Sequence, residues 1–325
     1  MKNVAILSVG HYVPSRKLTN ADLEKMVETT DEWITTRTGI KERRIAAQDE
    51  WTSMMAAKAA KEAIKNADIH PDEIDLIIVA TTSPDSNFPS VACHVQKAVK
   101  AKNAAAFDIG AACSGYLYAM TTAKQYILSG MFNKALVIAA DKFSNLVDWN
   151  DRATCVLFGD GAGACVLGWK RGNHGILSDH IHAQGHHNEM MYVDHDEPLP
   201  LDQAHVRTRK PYIVMHGQEL FKCAVTAMAE GVEIVARKAG VKLDDIHCVV
   251  PHQANDRIIS AVARKSGISK DKFFINIHKY GNTSAAAIAI ALYEAVQEGR
   301  IKSGDYVALV TFGAGLVSAA NLVRW

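Results

Sequence analysis

Two stretches of this chain carry the same pattern, and the repetition limits the folds open to it. An apolar strand over 74–81 is followed by a short strand, a turn of small residues at Cys113 and a helix that stops at Gly130. A second apolar strand over 245–250 is followed by a strand, a turn at Asn282 and an alanine-rich helix that stops at Gly299. Each helix stops 17 residues after its turn residue, and the two turn residues are 169 positions apart (282 − 113). The preceding helix–strand units, 63–79 and 235–250, repeat at a similar offset. Strands this apolar are buried on both faces, so helices must cover both. A duplicated α/β unit predicts a layered sandwich of two halves, 1–170 and 171–325.

Hydrophobic periodicity places further strands at 4–9, 135–140, 273–277 and 306–311, with a last strand ending at Trp325. Helices are predicted over 19–29, 52–67, 91–100, 214–238 and 285–298. Residues 154–158 and 163–168 read as strand pieces around Gly159-Asp-Gly-Ala-Gly163. That cluster lacks the Gly-Lys-Ser/Thr of a phosphate loop and opens no helix, so close backbone packing is its reading. Segment 170–210 is the least regular. It holds seven of the 14 histidines and the acidic run Asp194-His-Asp-Glu197. The spacings match no zinc signature and predict an exposed insertion with no metal. A net charge of +1 argues against a nucleic-acid partner. No apolar run of 18 residues is present to span a membrane. The six cysteines form no C-x-x-C pair, and the apolar start of the chain is too short for a signal peptide. Both point to a reducing, cytoplasmic setting.

Ligands of α/β sheets bind at the carboxyl ends of strands, where the repeat places Cys113, His252 and Asn282. Cys113 stands among small residues at a predicted helix N-terminus, whose partial positive charge lowers a thiol pKa. The same cysteine reads equally as a small buried hydrophobe. A thiol takes an acyl group from a thioester at little cost. Histidine and asparagine N–H groups aimed at one oxygen would stabilise an enolate there. The order Cys, His, Asn also occurs in papain-like proteases, where histidine is the base, and order alone leaves both readings open. Trp33, four residues before Arg37, has the parts to stack on a base and pair with phosphate. An ordinary surface helix end explains that pair as well. Arg257, Arg264 and Lys265 share one helix face by spacing, which on periodicity alone is a solvated face. Phe88, beside Pro89 in a polar turn, either plugs its own core or reaches into a partner.

The stretches Asp31-Glu-Trp-Ile-Thr-Thr-Arg-Thr-Gly-Ile40, Phe88-Pro-Ser90, Asp108-Ile-Gly-Ala-Ala-Cys-Ser-Gly115, Asp151-Arg-Ala-Thr-Cys-Val-Leu-Phe-Gly-Asp-Gly-Ala-Gly-Ala164, Pro251-His-Gln-Ala-Asn255, Tyr280-Gly-Asn-Thr-Ser-Ala-Ala286 and Phe312-Gly-Ala-Gly-Leu316 span nearly the whole chain. Together, in this order, they resemble the β-ketoacyl-acyl-carrier-protein synthase III family of the thiolase superfamily. The resemblance implies a five-layered αβαβα thiolase fold, a homodimer, and a ping-pong Claisen condensation of an acyl-CoA with malonyl-acyl carrier protein. It implies no cofactor, acyl-CoA being a substrate. Cys113 would carry the acyl group, while His252 and Asn282 would hold the enolate. The backbone N–H groups of Cys113 and Gly315 would form an oxyanion hole. Trp33, Arg37 and Arg152 match positions that hold the CoA adenine and phosphates, and Gly217 and Asn255 match positions at the pantetheine. Phe88 looks like the residue that closes the partner's acyl pocket. Lys222, Arg257, Arg264 and Lys265 would dock the acidic carrier protein. Two segments depart from the family pattern: 170–210, and Leu316-Val-Ser-Ala-Ala320, which replaces a bulkier sequence. Both bear on the primer, which need not be acetyl. A cysteine hydrolase, a silent carrier-binding paralogue and a relative in specialised metabolism are the competing readings.

Overall fold

The computed structural model describes residues 2–193 and 212–325. His195, His205 and the run 194–197 lie outside the described residues. The first half runs β1 (Lys2–Tyr12), β2 (Lys17–Thr19), α1 (Asn20–Leu23), α2 (Asp31–Thr38), β3 (Glu42–Arg44), α3 (Thr52–Asn66), β4 (Leu76–Ala80), α4 (Val91–Val99), β5 (Ala105–Ile109), α5 (Gly115–Leu128), β6 (Lys134–Lys142), α6 (Arg152–Cys155) and β7 (Asp160–Arg171). The second runs β8 (Gly175–Ala183), β9 (Met191–Val193), β10 (Ile213–Met215), α7 (Gly217–Ala239), β11 (Ile246–Pro251), α8 (Asp256–Ser266), α9 (Ile277–Tyr280), α10 (Ala286–Gln297), β12 (Tyr306–Gly313) and β13 (Val317–Arg324).

The repeat is visible in the topology. One sheet has the order β1-β7-β6-β4-β5 and the other β11-β12-β13-β8. In the first, β1/β7 and β7/β6 are antiparallel and β6/β4 and β4/β5 parallel. In the second, β8/β13 and β13/β12 are antiparallel and β12/β11 parallel. Strands β8, β13, β12 and β11 thus repeat β1, β7, β6 and β4.

Four sequence expectations change. The strand expected at 273–277 sits where β5 would repeat, yet Phe273 makes a single bridge to Val249. The Gln253 side chain takes the N–H groups of Asn276 and Ile277, and the chain then turns into α9. The strand expected at 154–158 is instead the helical turn α6, because the Asp151 carboxylate caps it at the N–H of Ala153. The helix expected over 19–29 stops after Leu23, although Thr19 caps it. Nor is 170–210 simply an insertion: residues 175–183 form β8, with His180 and His182 on it.

Three apolar clusters define five layers. Helices α3 and α4 cover one face of the first sheet, against Ile77, Val79 and Ile138. Helices α5 and α10 lie between the sheets, touching Leu76, Ile78 and Val137 on one side and Val250, Val307 and Leu309 on the other. Helices α7 and α8 cover the outer face of the second sheet. Alternate residues of β4 therefore meet opposite helical layers, which is why its sequence is apolar throughout. The fold is the five-layered αβαβα thiolase sandwich.

The central helices are rich in small residues because the layers approach closely there. A Cβ added at Gly163 of β7 would lie 2.4 Å from Ala289 Cβ and 2.9 Å from Ala289 backbone. The substitution Gly163→Val is expected to cost about 3 kcal/mol through overpacking. Urea unfolding measures it, and an unchanged midpoint would mean that α10 can shift away without penalty.

Candidate active site

Segments of both halves converge on one cavity of about 150 Å³, with Cys113, His252 and Asn282 all in its wall. Each is held by backbone rather than by chance of side-chain reach. Cys113 sits in a 3₁₀ turn, Ala112–Ser114, that leads into α5. Ala112 there has φ +42°, a left-handed conformation. Gly115 brings the start of α5 against Ala80: an added Cβ would come within 2.9 Å of Ala80 Cβ. His252 follows β11, and its backbone N–H donates to Val310 O at 2.8 Å. Asn282 is pinned at both ends of its peptide, its N–H to Leu157 O at 2.8 Å and its carbonyl to Gly159 N at 3.0 Å. Gly281 makes that approach possible, with φ +63° and no room for a Cβ beside Leu157 O.

Hydrogen bonding decides which atoms face the chamber. Asn282 Oδ1 accepts the Ser284 N–H at 2.9 Å, so its amide NH₂ is left to donate. His252 Nδ1 has no partner. Burial drives the His252 pKa down to about 4, so the imidazole is neutral at pH 7. Burial also pushes the Cys113 thiol up to about 12, with the nearby Asp141 carboxylate adding to the rise. The expectation of a lowered thiol pKa fails for the unliganded chain. In so dry a wall, desolvation outweighs the helix-end N–H groups and the Ser284 hydroxyl.

Other expected residues fall into place or move. Gly217 and Asn255 line the same cavity. Trp33 lies under Arg152, whose Cζ is 5.0 Å from the ring centre, and Arg37 is at 5.9 Å. Asn255 links this group to the chamber, donating through Nδ2 to Arg37 O at 3.1 Å. Gly315 is not brought to the cavity wall. It takes the turn between β12 and β13 at φ +124°, where its neighbour is Val317. Gly313 is the residue against Cys113: a Cβ there would lie 2.8 Å from Cys113 N. Phe88 is 84% exposed and lies outside this chain's cavity. Lys222 on α7 and Arg257, Arg264 and Lys265 on α8 are all exposed on neighbouring helices.

Sequence reasoning missed the supporting residues. Gln253, buried, bonds through Nε2 to Pro251 O and Phe274 O, fixing the chain beside His252. Arg43, wholly buried, donates to Leu18 O, Asn20 Oδ1 and Val156 O and so braces the segment on which Asn282 hangs. Phe312 lines the cavity. Local sequence does not single out Arg43, in the charged run Lys41-Glu-Arg-Arg44, or Gln253, in the polar run Pro251-His-Gln-Ala-Asn255. Among the described residues, no three His, Cys, Asp or Glu side chains gather as a metal site, and no helix is long and apolar enough to cross a membrane.

Comparison with known proteins places this geometry. Residues 107–185 match the family model for 3-oxoacyl-[acyl-carrier-protein (ACP)] synthase III, and residues 236–325 match the model for its C-terminal part. The chain is 51% identical over 320 residues to the β-ketoacyl-[acyl-carrier-protein] synthase III of Aquifex aeolicus, covering 98% of this chain and 99% of that one. It is 48% identical to the protein of the same name from Caldanaerobacter subterraneus subsp. tengcongensis, covering 98% and 97%. The crystal structure of the Aquifex aeolicus 3-oxoacyl-[acyl-carrier-protein] synthase III superposes with a TM-score of 0.93 at 50% identity, over 99% of this chain and 100% of that one.

The buried neutral histidine sets a pH dependence. Its pKa falls from 6.5 to about 4 on folding. Between those values the unfolded chain holds more protons, so stability falls as pH drops through that window and is fully present above it. For this one group the loss is roughly 3 kcal/mol. Unfolding midpoints of wild type and His252→Asn across pH 4–7 measure it. Parallel losses in the two proteins would show that His252 is not the buried neutral group described.

Proposed function

The chain belongs to the 3-oxoacyl-[acyl-carrier-protein] synthase III family, and on that premise we propose which of its residues carry the reaction. It is a condensing acyltransferase that initiates fatty acid synthesis by joining an acyl-CoA primer to malonyl-acyl carrier protein. Cys113 attacks the acyl-CoA carbonyl and keeps the acyl group while CoA departs. Malonyl-acyl carrier protein then enters. Its C–C bond breaks, CO₂ leaves, and the enolate oxygen is held by the imidazole of His252 and the amide of Asn282. The enolate carbon attacks the Cys113 thioester, and collapse of the tetrahedral adduct releases the thiolate.

One observation carries this assignment: Asn282 Oδ1 is already occupied by the Ser284 N–H, and His252 is uncharged, so both offer donors to the cavity that Cys113 shares. Two such donors favour an oxyanion over a neutral carbonyl. A base-and-orienter pair of the hydrolase type would need Asn282 Oδ1 free for His252. One oxyanion-hole donor is the Cys113 N–H, and the second comes from the 312–315 turn, where Gly313 rather than Gly315 lies against it.

Trp33, Arg37 and Arg152 receive the adenine and phosphates of CoA, and Gly217 and Asn255 flank the pantetheine at the mouth. Lys222, Arg257, Arg264 and Lys265 dock the acidic carrier protein. The exposed Phe88 crosses to the acyl pocket of a second copy in a homodimer. The halves meet near residue 170, between β7 and β8. The enzyme acts in the cytoplasm, and acyl-CoA serves as substrate with no cofactor.

Intact-protein mass spectrometry after exposure to acyl-CoAs of graded length tests the nucleophile. Wild type is expected to gain one acyl mass and Cys113→Ala none, and the length that reacts fastest names the primer. His252→Ala and Asn282→Ala are expected to lose about 10²-fold or more in malonyl decarboxylation while sparing acylation. Loss of acylation with decarboxylation intact would reverse the roles.

A further inference from the structure

The Cys113 thiol must lose a proton inside a dry wall, while His252 is wanted as a neutral donor. A second polar chain stands behind the sulfur. Ser284 Oγ lies 3.7 Å from Cys113 Sγ, and Ser284 is wholly buried. Its backbone is left-handed, φ +53°, at a residue that is not glycine. Such a conformation persists only where the surroundings hold it, and it gathers at functional sites. Here the Ser284 N–H is held by Asn282 Oδ1, and the next N–H, of Ala285, by Asp141 Oδ2 at 3.3 Å.

Asp141, on β6, is also wholly buried, and among the described residues no basic side chain pairs with it. Its two oxygens are used unequally. Oδ1 takes the Thr82 N–H and the hydroxyls of Thr81, Thr82 and Ser83 at 2.8–3.1 Å. Oδ2 takes the N–H of Ala285, the peptide that follows Ser284, which sets the carboxylate beside that residue. Ser284 thus touches the nucleophilic sulfur with its hydroxyl, and the next peptide is bonded to a buried carboxylate.

We propose that Ser284 and Asp141 form a proton relay for Cys113, with Ser284 a fourth catalytic side chain. As the sulfur attacks the acyl thioester, the thiol proton passes to Ser284 Oγ and the Ser284 proton to Asp141. The new C–S bond forms, the bond to the CoA sulfur breaks, and CoA leaves as a thiolate that takes a proton from water. Asp141 keeps its proton through condensation. When the tetrahedral adduct collapses, the Cys113 thiolate recovers that proton by the same path. The chamber never carries more than one negative charge: first on Asp141, then on the departing CoA sulfur, none in the acyl-enzyme, then on the malonyl group and its enolate, and last on the released sulfur. Uncompensated buried charge is costly, and the relay never requires two together. Burial raises the Asp141 pKa, which suits an acceptor of this kind.

The inference rests on Cys113 as the acylated residue, and the test separates the two. Single-turnover acylation from acyl-CoA and decarboxylation of malonyl-acyl carrier protein without acyl-CoA are compared in wild type, Ser284→Ala and Ser284→Gly. Glycine suits the left-handed backbone, so it removes the hydroxyl without strain. The backbone N–H that holds Asn282 survives in both variants. Acylation is expected to fall about 10²-fold in both, at least tenfold more than decarboxylation does. A smaller gap between the two losses in either variant, including no loss at all, overturns the relay and leaves Ser284 a packing residue. Failure of the wild type itself to acylate overturns the reading of Cys113 instead.

Discussion

The structure depends on how closely its central helices can approach the strands and one another. Glycine or alanine stands at each of the closest approaches. Gly115 meets Ala80 and Ala285, Gly163 meets Ala289, and Gly313 sits on the Cys113 backbone. Each contact leaves no space for a larger side chain. The two turns related by the duplication are thereby pressed together, so that a residue from each half lines one small chamber. Bulkier residues would separate the sheets and leave Cys113 and Asn282 in different clefts. Close packing of this kind is individually weak and collectively large.

The same closeness sets the electrostatics. A chamber walled mostly by apolar side chains penalises every charge placed in it. Burial holds Cys113 as a thiol, with the Asp141 carboxylate adding to the effect, and burial alone holds His252 as a neutral imidazole; neither has a counter-charge. The site is therefore uncharged at rest, save for the Asp141 carboxylate behind it, and is supplied with donors rather than cations. Such a site binds a neutral thioester readily. It reserves its hydrogen bonds for the moment when oxygen becomes negative, the condition for lowering a barrier rather than merely binding substrate.

Cationic groups stay outside. Arg37 and Arg152 stand over Trp33, and Lys222, Arg257, Arg264 and Lys265 are exposed on α7 and α8. Asn255 ties the outer region to the inner one. It caps α8 at the Arg257 N–H, bonds to the Arg37 carbonyl and lines the cavity. A molecule with a phosphate-rich head and a thioester tail would meet charge first and dryness last.

Much of this was legible in the residues. The duplication predicted two matched sheets, and the strand-end rule selected Cys113, His252 and Asn282. Patterning succeeds there because strands buried on both faces must be apolar, and tight turns must use small residues. What failed was everything that depends on a partner distant in sequence. The strand expected at 273–277 was lost because Gln253, some 20 residues earlier, takes its N–H groups. The thiol pKa moved up rather than down because its environment is assembled from β6, β12 and the Ser284 turn, not from its own helix. Gly313 and Gly315 look alike in sequence, and only the fold tells which of them touches the nucleophile. Sequence by itself determined the architecture and picked out three side chains that meet in one cavity, because these follow from local period and residue type. The tertiary structure decided their protonation, their orientation and their supporting contacts, because burial and hydrogen bonding depend on which distant segments the packing brings together.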